Sequence, residues 1–226
     1  RIVTAQESAA GLTAVWARQN TRGEVFDALT RKEAYATTGS RIRVRVFGGW
    51  NFDADDIGAS DLVALGYRDG VPMGGDLTNA PAGGAPRFLV SAARDPDGAN
   101  LDRVQIIKGW VDASGKTHER IYDVAVSDGR TIGVDGRCRD AVGSTVDLKT
   151  ATFTNSIGDA SLSAHWMDPA FDPAESSFYY VRVLEIPKPR WTTHDAAFFN
   201  IPLPKTVPPT VQDRAYSSPI WYTPEG

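Results

Sequence analysis

The residues of this chain that could do chemistry are few and scattered. Its three histidines, His118, His165 and His194, form neither a His-x-His pair nor a His-Glu-x-x-His run. A hydrolytic metal site needs several converging His or carboxylate ligands, commonly paired at short spacing. His118 therefore reads as an exposed residue after a hairpin turn and His165 as a packed strand residue; no metal ligand is assigned. Acidic residues gather as Asn51, Asp53, Asp55, Asp56 and Asp61, as Asp95 and Asp97, and as Asp168 and Asp172. Calcium requires oxygens at set intervals, and Asp56 occupies the place of the turn glycine in an EF-hand loop. These carboxylates read as solvated caps of chain reversals. Cys138 lies between Arg137 and Arg139, cations that favour thiolate. A nucleophile also needs a base beside it, and no histidine is near in sequence, so Cys138 reads as a plain loop residue.

One turn offers more. Thr37-Thr38-Gly39-Ser40-Arg41 supplies hydroxyls, backbone N–H groups and a guanidinium, the parts of an anion cradle. It lacks the Gly-Lys-Ser/Thr ending of a P-loop, and a helix C-terminus turns the wrong end of its dipole toward an anion. Thr37, Thr38 and Arg41 are the candidate substrate- or anion-binding residues; no catalytic residue is assigned. Trp110, Trp166, Trp191 and Trp221 read as core aromatics, with a sugar-stacking platform as the alternative.

The elements that position these residues follow from hydrophobic period. LTAVWA after Gly11 suits a short buried strand. Thr21 with Glu24 matches a capping box, and Val25, Phe26 and Leu29 supply one apolar face, predicting a helix over 22–33. In RIRVRVF, Ile42, Val44 and Val46 alternate with arginines, so one face is buried and the other meets water or carboxylates. Strands are predicted at LVALGY (62–67), RFLVSAA (87–93), RVQIIKGWVDA (103–113), HERIYDVAV (118–126), TATFTN (150–155), SLSAHW (161–166) and SFYYVRVLEI (177–186). Ala113-Ser114-Gly115-Lys116 makes a hairpin turn between two of them. The tail, with prolines in KPRW, IPLPK and VPPT, reads as an extended strap, and SPIWYT as a closing strand.

The fold class expected is mainly β: an antiparallel sandwich preceded by a short strand–helix remnant of a βα barrel. Residues 1–40 would be the remnant, 41–186 the sandwich and 187–226 the strap and closing strand. The 24 basic and 28 acidic residues are interspersed, giving a net charge of −4. Nucleic-acid binding normally needs a basic face, so it is not expected. No apolar run reaches the roughly 20 residues of a membrane-crossing helix. The single cysteine excludes an internal disulfide and a cysteine zinc cage. Because the chain starts at Arg1 without an initiator Met, it is expected to be the C-terminal part of a longer protein.

The stretches GLTAVWARQNTRGEVFDALTRKEAYATTGSRIRVRVFGGWNF, VPMGGDL, VQIIKGWVDASGKTHERIYDVA, FYYVRVLEIPKPRW and RAYSSPIWYTP span nearly the whole chain. On them the sequence resembles the C-terminal part of a bacterial family, domain of unknown function three-six-zero-four. That family is similar to the PHP-type metallohydrolases, whose βα barrel holds metal ions that activate water. The resemblance implies ligand motifs upstream of this chain, so no cofactor is expected in it and divalent metal ions are expected in the N-terminal part. It also implies a closing barrel segment over Leu12 to Gly39, with the turn from Ala36 to Arg41 near the metal mouth. The implied role is an accessory β-domain, inactive alone, that packs on its own N-terminal barrel and shapes the entrance for a small ester or phosphoester substrate. A carbohydrate- or ligand-binding module and an oligomerisation domain are the alternatives, and an exported setting, periplasmic or secreted, is implied. Exposed tryptophans in a row on one sheet face would favour binding. An exposed apolar patch around Leu12, Val15, Trp16, Val25 and Phe26 would favour docking on a barrel.

Overall fold

The computed structural model describes residues 6–8, 11–203 and 205–224. In chain order its elements are β1 (Leu12–Val15), α1 (Arg22–Thr30), β2 (Ala34–Thr37), β3 (Arg43–Gly49), a 3-10 turn (Ala54–Gly58) and α2 (Leu62–Asp69). There follow β4 (Gly70–Pro72), β5 (Asp76–Leu77), β6 (Arg87–Ala93), β7 (Leu101–Val111), β8 (Thr117–Val126), β9 (Ser161–Met167) and β10 (Ser177–Glu185). The last are β11 (Lys188–Pro189), α3 (Trp191–Phe199), β12 (Thr210–Val211), β13 (Arg214–Ser217) and β14 (Ile220–Tyr222).

Strand content is 36% against 15% helix, so the chain is mainly β as expected. β10 is the centre of the larger sheet: it pairs antiparallel with β7 along one edge and with β13 and β14 along the other. β7 carries β8, joined to it by the predicted hairpin. The smaller sheet runs β4-β3-β6-β9, all antiparallel. Alternation decides which faces meet. In β10, Tyr179, Val181 and Val183 are buried while Phe178, Tyr180, Arg182 and Leu184 are half-buried on the other face. In β3, Val44 and Val46 point inward and Arg43 outward. Ile106, Val181 and Val183 from the larger sheet and Val44, Val46, Phe88 and Val90 from the smaller share one core. Each such side chain contributes roughly 1.5–3 kcal/mol on leaving water.

Several expectations need correction. The segment expected as a strand–helix remnant of a βα barrel joins the larger sheet instead. β1 pairs with β2, and β2 with β13, so both extend the larger sheet; barrel strands run parallel. The predicted helix over 22–33 stops at Thr30, because Lys32 takes a left-handed conformation (φ 60) and Glu33 turns inward. Thr21 does cap it, its hydroxyl accepting from the Glu24 N–H at 3.4 Å. LVALGY is helical: Leu62 and Leu65 pack with Phe47, Phe52 and Leu89, which a continuous apolar run permits equally to a helix or a strand. Gly66 is required there, since a Cβ would lie 2.4 Å from the Phe47 ring. TATFTN forms only an isolated bridge, Asp147 with Thr152. The tail is more than a strap. α3 occupies the proline-free run between Pro189 and Pro202, and β13 enters the interior of the larger sheet between β2 and β10.

Candidate functional site

A cleft of about 770 Å³ opens where α1, the end of β1, β3 and α2 meet. Each lining side chain is placed by a local feature. Arg45 lies on the outward phase of β3. Glu33 follows the left-handed Lys32 and is buried, its carbonyl accepting from the Trp16 N–H at 3.0 Å. Trp16 fixes itself by donating its indole N–H to Val44 O at 2.8 Å. Its ring then carries the Arg45 guanidinium 4.3 Å above its centroid, a cation–π contact. Tyr67, one helical turn beyond Val63, donates its hydroxyl to Glu33 Oε1 and accepts from Arg45 Nη2 at 2.8 Å. Arg31 Nε donates to Glu33 Oε2 at 2.9 Å, and its Nη2 to Trp16 O at 2.7 Å. Arg45 Nη1 is 3.4 Å from Glu33 Oε1. One buried carboxylate thus organises two guanidiniums, a phenol and an indole.

The chemistry open to this cluster is limited. Burial, and then the hydrogen bond to Glu33, push the Tyr67 hydroxyl above its ordinary range, with Arg45 opposing. A phenol held protonated is the reverse of an activated nucleophile or base. The hydrogen bond to Glu33 likewise raises Arg31. Across the whole cleft Arg18, Arg31 and Arg45 face Glu24, Asp27 and Glu33. Cations and carboxylates balance, so it is no trap for phosphate; it presents a rigid, polar, preorganised surface.

The chain matches the family described as "Protein of unknown function (DUF3604)" over residues 1–224. It belongs to that family. No curated protein and no solved structure matches it.

The residues singled out from sequence fall elsewhere. Thr37 and Arg41 share a smaller concavity of about 480 Å³, whereas Thr38 lines another of about 440 Å³. Their polar groups already have protein partners. Thr37 Oγ1 accepts from the Gly39 N–H at 3.3 Å. Thr38 Oγ1 donates to Asp213 Oδ1 at 2.5 Å and accepts from the Arg214 N–H at 3.0 Å. Arg41 donates from its backbone to Asp95 at 2.8 Å and from its side chain to Asp95 and Asp97 at 3.3 and 2.5 Å. An incoming anion would have to displace these carboxylates. The turn also follows β2 rather than a helix C-terminus, so the unfavourable dipole expected there does not arise.

The histidines stay apart. His118 is half-buried, stacks on Trp110 at 5.0 Å and contacts Asp112 Oδ2 at 2.7 Å; His165 contacts Phe52 O at 3.1 Å; His194 is exposed on α3. Cys138 is buried, its backbone N–H donating to Asp123 Oδ2 at 2.8 Å. The acidic residues serve turns and ion pairs: Asp56 accepts from the Asp53 N–H at 2.7 Å, and Asp168 from the Tyr179 hydroxyl at 2.7 Å while pairing with Lys108 at 2.6 Å. Among the described residues no three His, Cys, Asp or Glu side chains gather to hold a metal ion.

The helix beside the cleft is unusual. α1 buries only Ala28, and leaves Phe26 67% and Leu29 47% exposed, three residues apart on one side. Leu12 on the edge strand β1 is 43% exposed, and Val63 and Tyr67 on α2 are exposed as well.

Proposed function

We propose that this chain is a non-catalytic accessory β-domain of a larger metal-dependent, PHP-like hydrolase. It docks through α1 and β1 against the catalytic barrel and shapes the entrance to its active site. The observation that carries this reading is α1 itself, an apolar helix face that buries one residue and lies beside a rigid, charge-balanced cleft. A surface helix normally turns its apolar stripe to the core, and large exposed apolar patches mark interaction sites. α3 also exposes Phe198 and Phe199, but it buries Thr192, Thr193 and Ala196 and so already has its packing face. Among the described residues no side chains gather as the ligand set of a hydrolytic metal centre. In this proposal the metal, and the hydrolysis of an ester or phosphoester, belong to the barrel.

The test is a double variant, Phe26→Asp with Leu29→Asp, in the longer polypeptide that carries this chain. Both side chains are exposed here, so the sandwich itself keeps its melting temperature. Loss of protection of α1 in amide exchange, with a raised KM or lowered kcat, supports docking. Unchanged exchange and unchanged kinetics sink the proposal.

A further inference from the structure

A second concavity, of about 540 Å³, opens on the larger sheet where β7, β8, β10 and β14 end together. The strand registers place one residue of each neighbouring strand side by side; all of these but Asp76, which lies beside Trp221 at the end of the row, line the concavity. Asp76 of β5 pairs with Trp221, Trp221 with Phe178, Phe178 with Gly109, and Gly109 with Glu119. Paired residues share a face, and this row lies on the face away from the shared core, because the next residues, Leu77, Tyr222 and Ser177, are the buried ones. Trp221 is 42% exposed, and Asp76 and Glu119 are exposed at the two ends of the row. Four strand spacings of about 4.8 Å make the row roughly 19 Å long, the length of a short oligosaccharide.

The glycine is what lets an aromatic ring lie on the floor. A Cβ at Gly109 would lie 2.3 Å from Cζ of Phe178, so only glycine lets that ring lie across β7. Phe178 and Trp221 then touch, with centroids 5.1 Å apart and planes tilted by 46°. Two rings in contact, inclined to one another, form a bent platform. An aromatic cage for a quaternary ammonium needs rings held apart around the cation, and there is no such gap here. The platform offers apolar ring faces, and the carboxylates at its ends accept hydrogen bonds. That combination suits a ligand with C–H faces and hydroxyl edges. The cavity volume lies within the usual range of small-molecule sites.

We propose that this row is a binding site for a neutral sugar chain. The sugar rings stack on Trp221 and Phe178, and their hydroxyls donate to Asp76 and Glu119. The site stands apart from the α1 docking face, and neither reading depends on the other.

The test is titration of the chain with cellotetraose, xylotetraose, mannotetraose and maltotetraose, followed by calorimetry and tryptophan fluorescence. Tetramethylammonium chloride serves as the cationic probe. Saturable binding of at least one sugar, weakened about tenfold or more by Trp221→Ala and unchanged by Phe198→Ala, is the expected result. Should Trp221→Ala not fold, the exposed pair Asp76→Asn with Glu119→Gln replaces it and must weaken the same sugar. Absence of saturation at millimolar sugar, equal affinity in the variants, or saturation by tetramethylammonium alone overturns the assignment.

Discussion

Glu33 is the residue whose removal should be felt most around the candidate cleft. Two cations lean on its buried carboxylate, and their exposures differ. The Arg31 side chain is 42% exposed, so its pair is screened by water and is worth about 1 kcal/mol or less. The Arg45 side chain is only 11% exposed. Stripping a nearly buried cation of its counterion commonly costs about 3–5 kcal/mol. Here the Trp16 ring and the Tyr67 hydroxyl still compensate Arg45 in part, which favours the lower end. Glu33→Ala should therefore destabilise by about 3 kcal/mol, and Glu33→Gln, which keeps an acceptor, by about half that. For a chain of this size 1 kcal/mol moves the melting temperature by about 2–4 °C, so Glu33→Ala should lower it by about 6–12 °C. Arg31→Ala should lower it by no more than about 4 °C. Circular dichroism melts at neutral pH and low salt measure both. Equal shifts for the two variants, or a Glu33→Ala shift below about 2 °C, would refute the view that Glu33 anchors the cleft through Arg45.

Three further outcomes follow from the same structure. Gly66→Ala should cost about 1–3 kcal/mol by driving a methyl into the Phe47 ring, whereas Gly23→Ala, with open space around it in α1, should gain up to about 1 kcal/mol; urea midpoints compare them. The Ser114 hydroxyl, the His118 ring and the Lys116 backbone N–H hold the Asp112 carboxyl well below its ordinary range. A depressed folded pKa adds stability that is present above the unfolded value, about 3.9, and is lost as pH falls through the folded one. The β7–β8 turn should therefore loosen only in acid, and Asp112→Asn should flatten that dependence in amide exchange. Buried Cys138 should resist Ellman's reagent in the native chain and react fully in denaturant; rapid native reaction would contradict its placement.

The sheets were legible because alternation leaves a strong mark. RIRVRVF, RFLVSAA and SFYYVRVLEI lie in β3, β6 and β10, and the Ala113–Lys116 turn joins β7 to β8. Arg45 was expected on a face meeting water or carboxylates, and its partner was not foreseen. Glu33 was hidden in an overlong helix, because the left-handed break at Lys32 has no glycine to announce it. Tyr67 was hidden in LVALGY, whose continuous apolar run fits helix and strand alike. α3 was hidden by the prolines flanking it. The aromatic row depends, beyond the β7–β8 hairpin, on registers between β5, β14, β10 and β7, which come from distant parts of the chain, and no local pattern encodes such pairings. Thr38 and Arg41 read as free donors because Asp213, Asp95 and Asp97 approach them only in the folded chain, whereas the partner of Thr37 is the neighbouring Gly39 N–H.

The measurement that bears most directly on the proposed accessory role compares this chain with the longer polypeptide in which we propose it lies. Both are screened with divalent metals against phosphoester, carboxylic ester and amide substrates, and bound metal is counted in each. Metal and turnover in the longer polypeptide alone is the predicted result. Turnover by this chain on its own would contradict it, and so would a longer polypeptide that binds no metal and hydrolyses nothing.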